Sequence, residues 1–182
     1  MANEGISPYD ALRREVIRCR RCPRLVTYRE LVAFQKVRRF AHEVYWGKPV
    51  PGFGDWNARL LVVGLAPAAH GGNRTGRIFT GDRSGDWLYE ALHSYGFASS
   101  PRSVSRDDGL ELRDAYVTAV VRCAPPDNKP SGEEEDSCRR FLVRELEGLA
   151  RVRVVVALGK IAFDGFLAAF KELGREVGRP RP

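Results

Sequence analysis

Three short apolar runs, widely separated along the chain, dominate the pattern of hydrophobic and polar positions. They are Leu60 to Val63, Tyr116 to Val121 and Val152 to Leu158. Each run is rich in β-branched residues and apolar at successive positions, which indicates strands buried on both faces, as in a parallel sheet. Helical patterns separate the runs. The sequence therefore predicts an α/β fold, a three-layer α/β/α sandwich with a central parallel sheet and right-handed crossovers.

The helices are predicted from apolar residues at helical spacing and from capping residues at their starts. Ser7, Pro8 and Asp10 form one helix start, and Ser131 with Glu134 forms another. The stretch from Trp46 to Trp56 is rich in Gly and Pro and is predicted to be a loop. The predicted helices run from Pro8 to near Cys19, Thr27 to Phe40, Ser84 to Tyr95, Ser131 to Leu149 and Lys160 to Leu173.

The end of the sequence departs from the alternating pattern. After the helix that ends at Leu173, the chain runs through Gly174, Gly178, Pro180 and Pro182 and stops. In a series of alternating strands and helices, such a linker leads to another strand. We therefore expect that the last strand of the sheet is missing and that the sequence is truncated, with a natural short tail as the alternative.

The length and composition suit one folded domain. The chain has 182 residues, 43% of them hydrophobic, so we expect a single domain over 1–182 with a packed core. No apolar run approaches the ~20 residues of a membrane span. The N-terminus has no basic segment followed by an apolar stretch. We expect a cytoplasmic monomer without a membrane partner.

The positive charge is concentrated near the N-terminus. The formal net charge is +7, and ten basic residues against two acids lie between Arg13 and Arg39. Tyr28 and Phe34 lie among them. A solvated helical face is one interpretation of this block. A surface that follows the phosphates of a nucleic acid is the other, and we favour it for the block as a whole.

The four cysteines suit a metal site. Cys19 and Cys22 form a Cys-x-x-Cys pair, and Cys138 lies fifteen residues after Cys123. Disulfides are rare in a reducing cytoplasm, whereas Zn²⁺ and [4Fe–4S] clusters both accept four thiolates. Zinc sites more often use two close pairs, so the spacing weakly favours iron and sulfur. Four structural cysteines without a metal are the remaining alternative.

The segment from Gly64 to Asp82 is the most distinctive stretch. It begins at the end of a predicted parallel strand, where α/β folds bind ligands. It matches neither a phosphate-binding Walker loop nor a dinucleotide fingerprint. Its small residues allow backbone amides to approach a ligand closely, and Phe79 offers a flat surface. Its polar side chains are His70, Asn73, Arg74, Arg77 and Asp82.

These motifs resemble those of the type B, or family 5, uracil-DNA glycosylases. The segment 64–82 resembles the first active-site motif of that family, and 116–130 resembles its second block. The four cysteines resemble its [4Fe–4S] site, and the resemblance extends over essentially the whole chain. It implies the uracil-DNA glycosylase fold and base-excision repair. The implied reaction hydrolyses the N-glycosidic bond of uracil or another deaminated base that is flipped out of DNA.

The resemblance also implies residue roles. Phe79 lies at the position of the stacking Phe, and the cluster ligands are Cys19, Cys22, Cys123 and Cys138. The other implied substrate-binding residues are Gly64, Ala66, Pro67, Ala68 and Asn128.

Two positions depart from the related type A enzymes. Ala68-Ala69-His70 stands where those enzymes carry an acid, and Ala119 stands where they carry an Asn. These departures favour a roomier and less selective pocket. Asp82 is therefore the candidate for positioning water, with His70 in support.

One family motif, a His-Pro-Ser segment after the fourth strand, does not occur in the sequence. That segment would supply a histidine for the leaving base and part of the wedge that enters the duplex. We therefore expect little or no glycosylase activity from this chain alone, and lower stability than that of a longer parent. The alternative function is a non-catalytic iron–sulfur or zinc module that binds nucleic acid.

Overall fold

The structure is a computed structural model that describes residues 6–176. The N-terminal segment 1–5 and residues 177–182 of the predicted linker lie outside the described residues. No helix within the described part is long and apolar enough to cross a membrane. The described residues form six α-helices, which are α1 Pro8–Arg18, α2 Pro23–Gln35, α3 Gly72–Thr75, α4 Arg83–Ser94, α5 Gly132–Gly148 and α6 Lys160–Glu172. Residues 6–176 also contain four strands, β1 Phe53–Gly54, β2 Leu60–Gly64, β3 Ala115–Ala119 and β4 Val154–Ala157.

The sheet has the order β1-β3-β2-β4. Strand β2 pairs in parallel with β3 on one side and with β4 on the other, which confirms the predicted parallel arrangement of the three apolar runs. The two-residue strand β1 pairs antiparallel with β3, so the sheet is mixed. The carboxyl ends of β2 and β3 lie side by side, with Gly64 opposite Ala119.

Two hydrophobic cores cover the two faces of the sheet. Leu61 and Val63 of β2 pack into one core with Phe166 of α6 and residues of α5. Val62 points to the other face and packs with Tyr89 of α4. This alternation of side chains along a central strand produces three layers, as the sequence predicts.

The start and end of α2 differ from the prediction. The sequence predicts a helix from Thr27 to Phe40, whereas α2 begins at Pro23 and ends at Gln35. Proline at the first helical position starts the helix directly after Cys22. At its end Lys36 has a φ of 54°, which stops the helix, and 38–40 forms only a short 3₁₀ turn.

Three strand predictions also need correction. The predicted loop from Trp46 to Trp56 contains the short strand β1. The second apolar run leaves the sheet earlier than predicted, because β3 ends at Ala119 rather than at Val121. The third run is not buried on both faces. Val154 is 54% exposed because β4 has only one neighbour among the described strands.

A buried ion pair links the segment after β3 to α5. Arg122 and Glu145 are each 1% exposed, and a guanidinium nitrogen of Arg122 lies 2.6 Å from Glu145 Oε2. The hydroxyls of Tyr116 and Thr118 donate to the same carboxylate, at 3.2 and 2.7 Å. Nearly every polar atom of Glu145 is therefore used, which is what makes a buried charge tolerable.

Candidate active site and four-cysteine site

An open cavity of about 990 Å³ lies at the carboxyl ends of β2 and β3. This is the edge at which ligands bind in α/β folds. Its walls come from the loop after β2, the start of α4 and the loop after β3. Residues between Tyr28 and Glu43 complete it from the N-terminal part of the chain. Among the predicted site residues, Ala68, His70, Asp82 and Asn128 line the cavity.

Buried hydrogen bonds and one ion pair anchor the loop after β2. Arg77 is 3% exposed, donates to the Ser103 hydroxyl at 2.9 Å and forms an ion pair with Asp108 at 2.8 Å. The Tyr89 hydroxyl donates to the Ile78 carbonyl at 3.0 Å. Thr80 exchanges a hydrogen bond with Ser103 at 2.6 Å. These buried bonds fix the backbone on which the cavity residues stand.

Asp82 lines the cavity and also caps α4. Its Oδ1 accepts the backbone N–H of Gly85 at 3.0 Å. A Cβ placed on Gly71 would lie 2.2 Å from the other oxygen, Oδ2, so only glycine leaves room for this carboxylate. Asp82 is thus a carboxylate of fixed orientation at the cavity wall.

His70 lines the cavity, and its ring is hydrogen-bonded to Tyr45. Its Nδ1 lies 3.0 Å from the hydroxyl of Tyr45, which is 8% exposed. Burial, with the positive charge of Arg74 in addition, lowers the pKa of His70 below its ordinary value. Arg74 also donates to the His70 carbonyl at 2.8 Å. The imidazole is therefore neutral and oriented at neutral pH.

Phe79 lies beside the cavity rather than among the residues that line it. Its half-buried ring covers Gly64, where a Cβ would lie 2.4 Å from the ring. Its φ is 52°, a conformation that costs an aromatic residue about 1–3 kcal/mol and is typical of functional sites. Ala66 packs against the core and Pro67 against Gly72, so these two residues shape the loop from within.

The outer wall of the cavity is basic and aromatic, and the sequence prediction missed it. Phe40 lies between two guanidinium groups, with Arg74 at 3.8 Å and Arg39 at 4.5 Å from the ring centroid. Glu43 forms an ion pair with Arg74. The mixture of aromatic and basic residues between Arg13 and Arg39 could have indicated such a wall. No local sequence pattern, however, shows which of these residues face the cavity.

The basic N-terminal block is not a uniform cationic face. Arg29 is 1% exposed, Arg24 forms an ion pair with Glu134 at 2.7 Å, and Arg20 forms one with Glu30. Arg14 and Arg21 remain exposed. Part of the positive charge that the sequence suggested for contact with phosphates is therefore already paired with carboxylates of the chain.

The four cysteines converge on a second, small cavity. Cys19, Cys22, Cys123 and Cys138 all line it, together with apolar side chains of α2 and α5. Cys138 is 8% exposed and lies on the inner face of α5 beside Phe141, as the sequence predicts. The backbone N–H of Arg122 donates to Cys138 Sγ at 3.3 Å.

The arrangement of the four thiols bears on which metal they suit. Burial raises the pKa of Cys123 to about 12, against the positive charge of Arg29, and burial raises the pKa of Cys138 to about 11. Within residues 6–176, no three Cys, His, Asp or Glu side chains converge closely enough to share one ion. The four thiols nevertheless line one cavity, and four thiolates are a ligand set that both Zn²⁺ and [4Fe–4S] clusters accept.

Comparison with known proteins identifies relatives over most of the chain. Residues 51–180 match the family model described as the uracil DNA glycosylase superfamily. A type-5 uracil-DNA glycosylase of Pyrobaculum aerophilum is 52% identical over 170 residues, covering 90% of this chain and 74% of the relative. The Thermus thermophilus protein of the same name is 57% identical, covering 84% of this chain and 68% of the relative. That of Mycobacterium bovis is 52% identical, and the match covers 90% of this chain but only 60% of the relative.

Proposed function

Since the chain belongs to the uracil DNA glycosylase superfamily, we propose that it is a DNA-repair glycosylase that removes uracil from DNA by hydrolysing the N-glycosidic bond. The observation that carries this proposal is the cavity at the strand ends, which both His70 and an Asp82 carboxylate of fixed orientation line. A base in a duplex must leave the stack to reach such a cavity. The alternative, a non-catalytic binding module, gains nothing from an oriented carboxylate there, and the relatives are named as enzymes.

Different residues act on the two parts of the substrate, the sugar and the base. The bond between C1′ of the deoxyribose and the base nitrogen breaks, and the base leaves with the bonding electrons. The oxygen of a water molecule then joins C1′, and Asp82 orients that water and accepts its proton. The negative charges of Asp82 and of the DNA phosphates stabilise the oxocarbenium-like sugar.

His70 acts on the departing base. When the Tyr45 hydroxyl donates to Nδ1, the ring proton is on Nε2, which then serves as a hydrogen-bond donor. The lowered pKa keeps the ring neutral, so it stabilises the negative charge that develops on the base without adding a cation to the pocket. Tyr45 thus sets the tautomer of His70.

The substrate range follows from the small side chains of the loop. Ala68 and Ala69 both line the cavity, so at these two positions no carboxylate or amide selects one pattern of base edges. We propose that other deaminated bases, such as hypoxanthine, are also removed. Duplexes with one uracil, one hypoxanthine or only thymine test this range. Release of uracil and hypoxanthine but not thymine is expected, and release of uracil alone would contradict the wide pocket.

Phe79 provides the surface on which the base stacks. One side of its ring contacts Gly64 and the ring is only half-buried, so part of it is open to a base. Phe79→Ala should weaken binding of uracil-containing DNA by ~1–3 kcal/mol. Phe79→Leu is the control, because it keeps apolar volume at the same strained backbone position but has no flat ring. Fluorescence anisotropy with uracil-containing and thymine-containing duplexes measures the effect. If Phe79→Leu prefers the uracil-containing duplex over the thymine-containing duplex as strongly as the unaltered chain does, Phe79 has no stacking role.

We also propose that the four cysteines hold one [4Fe–4S] cluster in a cytoplasmic protein. Four thiols around one largely apolar cavity support this. The cluster would tie α2 and α5 to the end of β3 and stabilise the fold. All reacting groups of the glycosylase mechanism above belong to the protein, the DNA and water.

Metal analysis of protein purified without oxygen tests the cluster. We expect about four iron and four sulfide per chain. Cys138→Ser should lose most of the iron, because the buried ligand is removed. Ser137→Ala, a change at a neighbouring residue of the same cavity, should keep it. Stoichiometric zinc without iron would overturn the proposal.

A further inference from the structure

Two fully buried guanidinium groups flank the four-cysteine cavity. Arg122 lines the cavity itself. Arg29 lies one helical turn after Leu25 and Val26, which line the cavity from α2, so all three share one face of that helix. Arg29 and Arg122 are each 1% exposed. A buried cation is costly unless an anion or a full set of acceptors compensates it.

The charges of the two arginines are balanced differently. Arg122 has Glu145, buried, at 2.6 Å. For Arg29 the carboxylate that pairs with it is Glu30, at 3.6 Å, and the Glu30 side chain is 43% exposed and also binds Arg20. An exposed carboxylate that is shared with a second cation compensates a buried charge poorly.

The hydrogen bonding of Arg29 is also incomplete. One terminal nitrogen donates to the Gly47 carbonyl at 2.7 Å. Among the residues that the structure describes, its buried Nε has no hydrogen-bond partner, and the same is true of Nε of Arg122. Most buried polar groups in proteins have a partner. An anionic group held by the four cysteines would offset the charge that Glu30 compensates poorly.

We infer that Arg29 is the counter-cation of the metal-bound four-cysteine site. This rests on the proposed cluster. Four thiolates outweigh the positive charge of an iron–sulfur core, so the liganded site is anionic. Arg29 is therefore a positioning residue that offsets this negative charge in a buried environment. Net charge around a cluster is one determinant of its reduction potential, so the positive charge of Arg29 also raises that potential.

The same side chain connects the cysteine site to the candidate active site. Arg29 donates to Gly47, the Gly47 N–H donates to the Asn73 carbonyl at 3.0 Å, and the Asn73 amide donates to the Arg29 carbonyl at 3.1 Å. Asn73 belongs to α3, within the loop that lines the active-site cavity. Any test of the charge of Arg29 must therefore separate it from this closed set of hydrogen bonds.

Three variants make that separation. Arg29→Met removes the charge and the hydrogen bond while keeping a long side chain. Arg29→Lys keeps the charge but not the planar guanidinium. Arg21→Met removes an exposed charge directly beside Cys22, where solvent screens it. The three proteins and the unaltered chain are purified without oxygen and their iron content is measured.

Two properties of the cluster are then compared. The reduction potential is measured by dye-mediated titration followed by electron paramagnetic resonance, and iron retention by release to an iron chelator. Arg29→Met should have a more negative potential, because reduction adds negative charge, and should hold iron ~10–100-fold less tightly. Arg29→Lys and Arg21→Met should stay close to the unaltered chain in both properties.

The outcomes separate this inference from the cluster itself. An unaltered chain without iron would overturn the cluster and the inference together. An iron-loaded chain in which Arg29→Met behaves like Arg21→Met would overturn the inference and leave the cluster standing. If Arg29→Met assembles no cluster, Arg29→Lys decides: normal assembly supports the counter-cation, and equal failure of both variants overturns it.

Discussion

Replacing Asp82 by Asn should lower the single-turnover rate of uracil release by roughly 10²–10⁴-fold while stability changes little. The charge that orients water and accepts its proton is lost. Asn is as good a helix N-cap as Asp, so the bond to the Gly85 N–H is kept. Rates with excess protein over uracil-containing duplex, together with thermal unfolding, measure the two effects.

Two companion variants sharpen the Asp82 experiment. Asp82→Ala should show a similar fall in the single-turnover rate of uracil release. It should also lose about 0.5–2 kcal/mol of stability, because the helix cap is removed. Asp86→Asn removes a carboxylate that lines the same cavity from the first turn of α4 and should change the rate little. Equal rates for Asp82→Asn and Asp86→Asn would show that Asp82 serves only as a cap.

Replacing Arg122 by Met should lower the free energy of unfolding by about 3–5 kcal/mol. Glu145 would keep its charge at a position that is 1% exposed, with only the hydroxyls of Tyr116 and Thr118 as donors. Urea unfolding of anaerobic samples with matched iron content measures the loss.

The control for the buried pair is an exposed one. Arg144 pairs with Glu15 on the surface, with side-chain exposures of 43% and 40%, so Arg144→Met should cost no more than ~1 kcal/mol. Adding Glu145→Gln to Arg122→Met should recover part of the stability, since no unpaired charge remains. A loss from Arg122→Met as small as that from Arg144→Met would mean that the pair contributes little.

Local signals predicted most of the helices and strands. Ser7 accepts the N–H of Asp10 at the start of α1, and Ser131 with Glu134 forms the capping box of α5, both as expected. Helix α2 was misplaced because its N-cap, Cys22, makes no capping bond through its side chain. The exposure of β4 and the pairing of β1 depend on strand order, which no local pattern encodes.

The sequence pointed to the residues of the candidate site that follow the strands, but not to those that come from the N-terminal part of the chain. Ala68, His70, Asp82 and Asn128 reach one cavity because the carboxyl ends of β2 and β3 are adjacent. The bond from Tyr45 to His70 joins residues twenty-five positions apart, and periodicity carries no information on such contacts. The burial of Arg29 was missed for the same reason, since it lies in a segment whose composition alone suggested a solvated surface.

Release of uracil from DNA tests the central claim most directly. A duplex with one uracil is incubated with excess chain, and the thymine-containing duplex serves as control. From the sequence alone we expect little or no activity from this chain, whereas the cavity with its oriented Asp82 predicts that release is measurable. Free uracil and an alkali-labile strand should form from the uracil duplex alone, more slowly with Asp82→Asn. No release above the protein-free control, or equal release by Asp82→Asn, would contradict the account.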